Sequence, residues 1–287
     1  MTASHPHTAP ADTFQTTPNR SILVGDTVFA YRELGAADAP PLLLLNHWGA
    51  VLDNFDPRIV DGLARRHRVI ALDYRGMGGS GGTAPVTIAD MAQDTLAFLR
   101  ALQLEQVDVL GFSLGGFVAQ QLVLDAPGQV RRLILTGTGP AGGRGIDRVG
   151  RVSWPLIAKA LLTGRDPKYY LFFTGSPRGR EAARAFLQRL KERTRHRDRA
   201  ATPRAFLRQL KAITAWGRQA PQDLGRIQIP VLVANGDSDI MVPSHNSTDL
   251  AARLPHATLV LYADAGHGGI FQHHADFVLQ ALAFLDA

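Results

Sequence analysis

The sequence predicts an α/β fold: a mostly parallel sheet with helices on both faces, interrupted once by a helical insertion. Three observations predict it. Short, continuously apolar runs recur along the chain, as strands buried on both faces require. Amphipathic segments of helical period separate most of them. The alternation then breaks from about residue 139 to 224 and resumes afterwards.

Taken in order, residues 27–34 (TVFAYREL) alternate like a half-buried strand, and 42–46 (LLLLN) form the first continuous apolar run. The same run recurs at 68–73 (RVIALD), 107–112 (VDVLGF), 132–137 (RLILTG), 229–236 (IPVLVANG) and 257–264 (ATLVLYAD). Helical patterns occupy 54–66, 87–102, 114–125, 244–254 and 270–285, the second opened by a capping-box-like Thr87-x-x-Asp90. The insertion starts in a glycine-rich loop, TGTGPAGGRG (136–145). It continues through RVSWPLIAKALL, YYLFF and REAARAFLQRLKER, and ends near WGRQAPQDLGRI (216–227). It lacks good strands and is expected to pack over the C-terminal edge of the sheet. The expected organisation is a disordered tail over 1–20, a core over 21–138 and 225–287, and a helical insertion over 139–224.

Composition narrows the function. Hydrophobic residues are 45% and charged residues 20%, ordinary values for a packed globular chain. There is no cysteine, so disulfides, thiolate metal sites and thiol nucleophiles are excluded. The polar N-terminus, MTASHPHTAPADTFQTTPNR, has no basic segment followed by an apolar one, and no apolar run reaches membrane-spanning length. The expected location is therefore the cytoplasm. Residues 178–218 hold thirteen Lys or Arg and three acids, a net of +10 within a total of +6, so the rest of the chain sums to −4. Few aromatics interleave with these cations, so a solvated arginine-rich helical face is expected rather than a nucleic-acid surface.

The chemistry is carried by Gly111-Phe112-Ser113-Leu114-Gly115, where a buried strand stops and a helix begins. G-x-S-x-G in that context is a nucleophile elbow: a sharp, strained turn that lifts a serine hydroxyl above the sheet, with small neighbours so that strand and helix can approach. A serine hydroxyl is a weak nucleophile and needs a base, which needs an orienting acid. Both are available at later strand ends. His267 lies between glycines in ADAGHGG (263–269) and is expected to be exposed there. In GDSDIMVP (236–243), Asp239 is favoured over Asp237, which directly follows Gly236 and suits turn formation. His67, His196, His245 and His256 fall in surface patterns, and no histidine cluster has metal-site spacing.

Together GFSLGG, GDSDIMVP, AGHGG and DYRGMGGSG (73–81) resemble the α/β-hydrolases, over about residues 21–286. The resemblance implies Ser113 as nucleophile, Asp239 as acid and His267 as base, with 139–224 as the family's helical cap. Relatives usually carry His-Gly-x-Gly after the third strand, where this chain has Asn46-His47-Trp48-Gly49; the same register matches Asp53 and Phe55. Trp48 and Leu114 then donate the oxyanion N–H groups. Phe112, Trp154, Trp216, Ile240 and Ile270 are candidate pocket residues, with Phe172 and Phe173. No cofactor or metal is implied. The leading expectation is a serine esterase or lactonase acting on a small-molecule ester through an acyl-enzyme. The same triad also serves cofactor-free perhydrolases or haloperoxidases and C–C bond hydrolases, and non-catalytic ligand-binding members keep it. Serine at the elbow argues against haloalkane dehalogenase or epoxide hydrolase chemistry.

Overall fold

The computed structural model describes residues 12–287. Eight strands form one sheet: β1 (Arg20–Val24), β2 (Thr27–Leu34), β3 (Pro41–Leu45), β4 (Arg68–Leu72), β5 (Val107–Phe112), β6 (Val130–Thr136), β7 (Val231–Gly236) and β8 (Ala257–Tyr262). Their spatial order is β1-β2-β4-β3-β5-β6-β7-β8. The β1/β2 and β2/β4 pairs are antiparallel, and from β4 to β8 every pair is parallel. The centre of the sheet explains its composition: β3, β5 and β7 are covered on both faces, so LLLL, VDVLGF and VLVANG are apolar without alternation.

Helices α1 (Pro57–Leu63), α2 (Ile88–Ala101) and α3 (Leu114–Asp125) precede the insertion. Within it lie α4 (Val149–Leu162), α5 (Lys168–Leu171), α6 (Pro177–Arg189) and α7 (Pro203–Arg218), with no strand among the described residues between β6 and β7. Helices α8 (His245–Arg253), α9 (Gly269–Gln272) and α10 (His274–Asp286) complete the chain. Thr87 caps α2 by accepting from the Asp90 N–H at 3.1 Å. Among the described residues no helix is long and apolar enough to cross a membrane.

Several expectations require correction. Residues 12–20 are not a loose tail. Phe14 is buried edge-on against Phe55, and the Arg32 guanidinium sits 4.4 Å over its ring. Only residues 1–11 of the expected tail lie outside the described residues. Strand β1 was not expected, because RSILV is short and mostly exposed at the sheet edge. Strand β8, read as doubly buried, is the opposite edge and is largely half-exposed.

The basic stretch is not simply a solvated face. Arg189 pairs with buried Asp56, the N-cap of α1, at 2.6 Å and also donates to the Phe271 carbonyl at 3.0 Å. Arg193 is buried and donates to the Phe14, Gln15 and Thr17 carbonyls. These arginines staple the inserted helices to the sheet domain, because buried carbonyls and carboxylates need donors. His67 is also buried rather than on the surface, beside Asp108 and Asp286, and desolvation lowers its affinity for a proton.

Candidate active site

The turn after β5 sits at the middle of the sheet because β5 pairs with β3 on one side and β6 on the other. Ser113 has φ 56° and ψ −117°, outside every well that a side chain ordinarily occupies. Its neighbours hold it there. The Ser113 N–H donates to the Thr136 carbonyl at 2.8 Å, and the Thr138 hydroxyl donates to the Ser113 carbonyl at 2.9 Å. The glycines are explained by approach distance. A Cβ on Gly115 would lie 2.0 Å from the Leu45 carbonyl oxygen, and one on Gly111 would lie 2.5 Å from the Gly115 carbonyl oxygen. Strand, turn and neighbouring strand are in backbone contact, so no side chain fits.

Asp239 follows β7 and is buried. Its Oδ1 accepts from the Met241 and Val242 N–H groups at 2.8 and 3.0 Å. Its Oδ2 accepts from Asn235 at 3.2 Å and faces His267 Nδ1 at 2.7 Å. Asp237 instead accepts from the Ser238 hydroxyl and the Asp264 and Ala265 N–H groups, holding a surface turn. The structure therefore brings Asp239, not Asp237, to the histidine.

His267 is not exposed, as its glycine-flanked loop suggested; it is 2% exposed. Phe112 and Phe172 pack on its ring at 5.0 and 5.3 Å between centroids. The flanking glycines admit the inserted segment: the Gly268 N–H donates to the Phe172 carbonyl at 2.7 Å, and a Cβ on Gly266 would meet that carbonyl oxygen at 2.7 Å.

Ser113 and His267 line one cavity of about 630 Å³. Among the described residues no hydrogen bond joins their side chains. The loop after β3 lines the same cavity. There Asn46 Oδ1 accepts from the His47 N–H at 2.8 Å, while Trp48 stacks on Phe206 of α7 at 4.1 Å and donates through Nε1 to its carbonyl. Among the described residues neither the Trp48 nor the Leu114 backbone N–H has a protein acceptor; Trp48 lines the same cavity as Ser113, and Leu114 follows Ser113 directly at the start of α3.

The family model described as alpha/beta hydrolase fold matches residues 40–274. The chain belongs to that family. A solved alpha/beta hydrolase fold protein from Chitinophaga pinensis is 40% identical, covers 96% of this chain and 100% of its own, and superposes with a TM-score of 0.91. RutD of Variovorax paradoxus, named for carbamate hydrolysis, is 31% identical over 262 residues, which is 89% of this chain and 95% of that protein. The pimeloyl-[acyl-carrier protein] methyl ester esterase of Nitrosomonas europaea is 27% identical over 254 residues, 84% of this chain and 94% of that one. The protein is thus a hydrolase of the alpha/beta hydrolase fold.

Not every expected pocket residue lines this hydrolase's cavity. Trp154 does, and is 45% exposed. Phe112 lies behind the wall, against His47 and His267. Trp216 is core, stacked on Phe117. Ile270 is buried in α9, and Ile240 is 47% exposed on the turn after Asp239. Residues that sequence reasoning missed include Phe206, Leu207, Met241 and Val242. Met241 and Val242 were legible in principle, since the backbone that holds Asp239 must pass the cavity. Nothing in the pattern of α7 marks Phe206.

The loop motif DYRGMGGSG proves architectural. Asp73 accepts from the Leu52 and Gly79 N–H groups, and Ser80 donates to the Asp73 carbonyl while accepting from the Ala30 N–H. Among the described residues no group of three or more His, Cys, Asp or Glu could hold a metal ion.

His47 occupies the position where relatives usually carry glycine. Burial pushes its pKa down to about 3, with the Lys168 charge adding to the effect. A native pKa below the unfolded value means that the unfolded chain binds more protons between about pH 3 and 6.5, so stability falls as pH drops through that window. His67 and His274 shift in the same direction and share the slope. Replacing His47 by Gln is expected to flatten the acid limb of the urea midpoint measured from pH 7 to pH 4. An unchanged slope would exclude His47 as a contributor.

Proposed function

We propose that this hydrolase cleaves a carboxylic ester or lactone through Ser113, His267 and Asp239. The observation that supports this reading is the 2.7 Å contact of His267 Nδ1 with Asp239 Oδ2, beside a strained serine that shares a cavity with that histidine. Asp239, already accepting three other N–H groups, is held as an acceptor. It fixes the Nδ1–H tautomer and leaves Nε2 free to act as base.

The steps follow from that tautomer. Ser113 Oγ attacks the substrate carbonyl carbon while His267 Nε2 takes its proton. The carbonyl oxygen becomes an oxyanion and accepts from the Trp48 and Leu114 N–H groups, each worth about 3 kcal/mol in such sites. Leu114 opens α3, so the helix N-terminus adds to the stabilisation. The tetrahedral intermediate collapses, His267 returns the proton to the leaving alcohol oxygen, and the acyl group stays on Ser113. Water then attacks with His267 again as base, releasing the acid and restoring the serine. The two relatives are named for carbamate and methyl ester hydrolysis, and both bond types carry a carbonyl open to such an attack. The helices α4 to α7 act as the cap that bounds the cavity.

The test is p-nitrophenyl acetate hydrolysis by wild type and Ser113→Ala, with intact mass after a fluorophosphonate. Turnover and a single adduct confined to wild type are expected. Equal turnover in both proteins would remove Ser113 from the mechanism.

A further inference from the structure

A second cavity, of about 440 Å³, adjoins the one that holds Ser113 and His267. Asp53, Asn54, Asp166, Lys168 and Arg197 line both. The two spaces differ in chemistry. Around Ser113 the walls are mostly apolar, with Trp48, Phe172, Phe206 and Met241 among them. The second space is walled by Arg165, Lys168, Arg184, Lys191 and Arg197 against only Asp53 and Asp166, a net of +3.

Those two carboxylates are already engaged. Asp53 accepts from Arg32 at 2.8 Å and lies 3.5 and 3.6 Å from Arg193 and Arg197. Asp166 holds Lys168 through its side chain at 3.3 Å and its backbone N–H at 2.9 Å. Arg165 stacks 4.3 Å over Tyr169, which orients a guanidinium without neutralising it. Among the described residues Arg165, Arg184 and Lys191 have no carboxylate within ion-pair distance. Scattered surface cations are ordinary, but a concave wall with a net positive charge focuses its field into the space it encloses. Lys168, which lines both spaces, is itself one cause of the depressed proton affinity of His47.

We propose that this second cavity is a subsite for an anionic group, a carboxylate or a phosphate monoester, carried by the substrate away from its scissile bond. The inference rests on the ester-hydrolase reading above and narrows its substrate class to esters with a second, charged end. Guanidinium groups suit such an end because they bind carboxylate and phosphate oxygens in pairs. The subsite also gives a role to part of the basic stretch, since Arg184, Lys191 and Arg197 come from it while Arg189 and Arg193 serve the fold.

The test compares kcat/KM of the full chain for monomethyl adipate and dimethyl adipate, in wild type and in the Arg184→Gln/Lys191→Gln variant. Wild type is expected to prefer the half-ester. The variant is expected to lose roughly tenfold of that preference, mainly through KM, and added salt should erode it in wild type. Competition of this turnover by butyrate or by butyl phosphate tells which anion the subsite favours. A preference for the neutral ester, or a ratio unmoved by the variant, overturns the subsite. If dimethyl adipate turnover is abolished in Ser113→Ala while the half-ester has no advantage, only the subsite fails; turnover that survives in Ser113→Ala sinks the hydrolase mechanism itself. Should neither ester be turned over, calorimetric binding of monomethyl adipate to wild type decides: saturable binding weakened in the variant supports the subsite, and none overturns it.

Discussion

Asp239→Asn is expected to lower kcat for p-nitrophenyl acetate by on the order of 10⁴, with little change in the folded structure. The cause is the tautomer. As a carboxylate, Asp239 takes the Nδ1–H of His267 on Oδ2 while its other oxygen receives the Met241 and Val242 N–H groups. An asparagine can still accept those two N–H groups through its carbonyl oxygen. It then turns an NH₂ toward His267, so Nδ1 must become the acceptor and Nε2 carries the proton that a base cannot have. Ser113→Ala is expected to lose at least as much, by on the order of 10⁴ or more. The double variant should be no slower than Ser113→Ala alone, because in the proposed mechanism the three groups act as one unit. Steady-state kinetics on the three proteins, with urea midpoints to confirm folding, makes the check. Additive losses in the double variant would mean that Asp239 and Ser113 act in separate processes.

Arg189→Met is expected to destabilise the fold by about 3–5 kcal/mol. The arginine fills a buried slot between α6 and α1, donating to both oxygens of Asp56 and to the Phe271 carbonyl. Methionine keeps much of the volume but leaves the buried Asp56 carboxylate with only its capping contact to the Arg58 N–H as a hydrogen bond. The physical claim is that the cost lies in the orphaned charge and not in lost packing. It follows that adding Asp56→Asn should recover a large part of the loss, since an amide oxygen can still cap α1 and carries no charge. Urea unfolding of wild type, both single variants and the double variant forms the cycle. No recovery in the double variant would assign the loss to packing.

How much of this was legible beforehand differs element by element. VDVLGF followed by GFSLGG could be read as strand, elbow and helix because the constraint is local: a buried strand needs apolar residues on both faces, and a backbone turn with Cβ clearances of 2.0 and 2.5 Å needs glycine. Asp239 could be separated from Asp237 because one follows a turn-forming glycine directly and the other sits where a following loop can cradle it. The exposure of His267 could not be read. Its glycines resemble a free loop, and only the approach of Phe172 from a segment almost a hundred residues earlier shows what they accommodate. Trp216 and Ile270 went the same way: apolar residues near a site are interchangeable in a sequence, and packing alone sorts wall from core.

The sequence by itself therefore determined the α/β alternation, the sharp turn at Ser113, and which aspartate and histidine meet 2.7 Å apart. Those depend on periodicity and on short-range steric rules that a few neighbouring residues carry in full. The tertiary structure alone decided which arginines of the basic stretch hold the fold and which face open space, that Phe14 and residues 12–20 belong to the packed body, and that a cationic cavity adjoins the apolar one. A charge reads the same in a sequence whether it meets Asp56 or water. What separates the two is which distant chain segment lies opposite, and that is set only when the inserted helices close over the sheet.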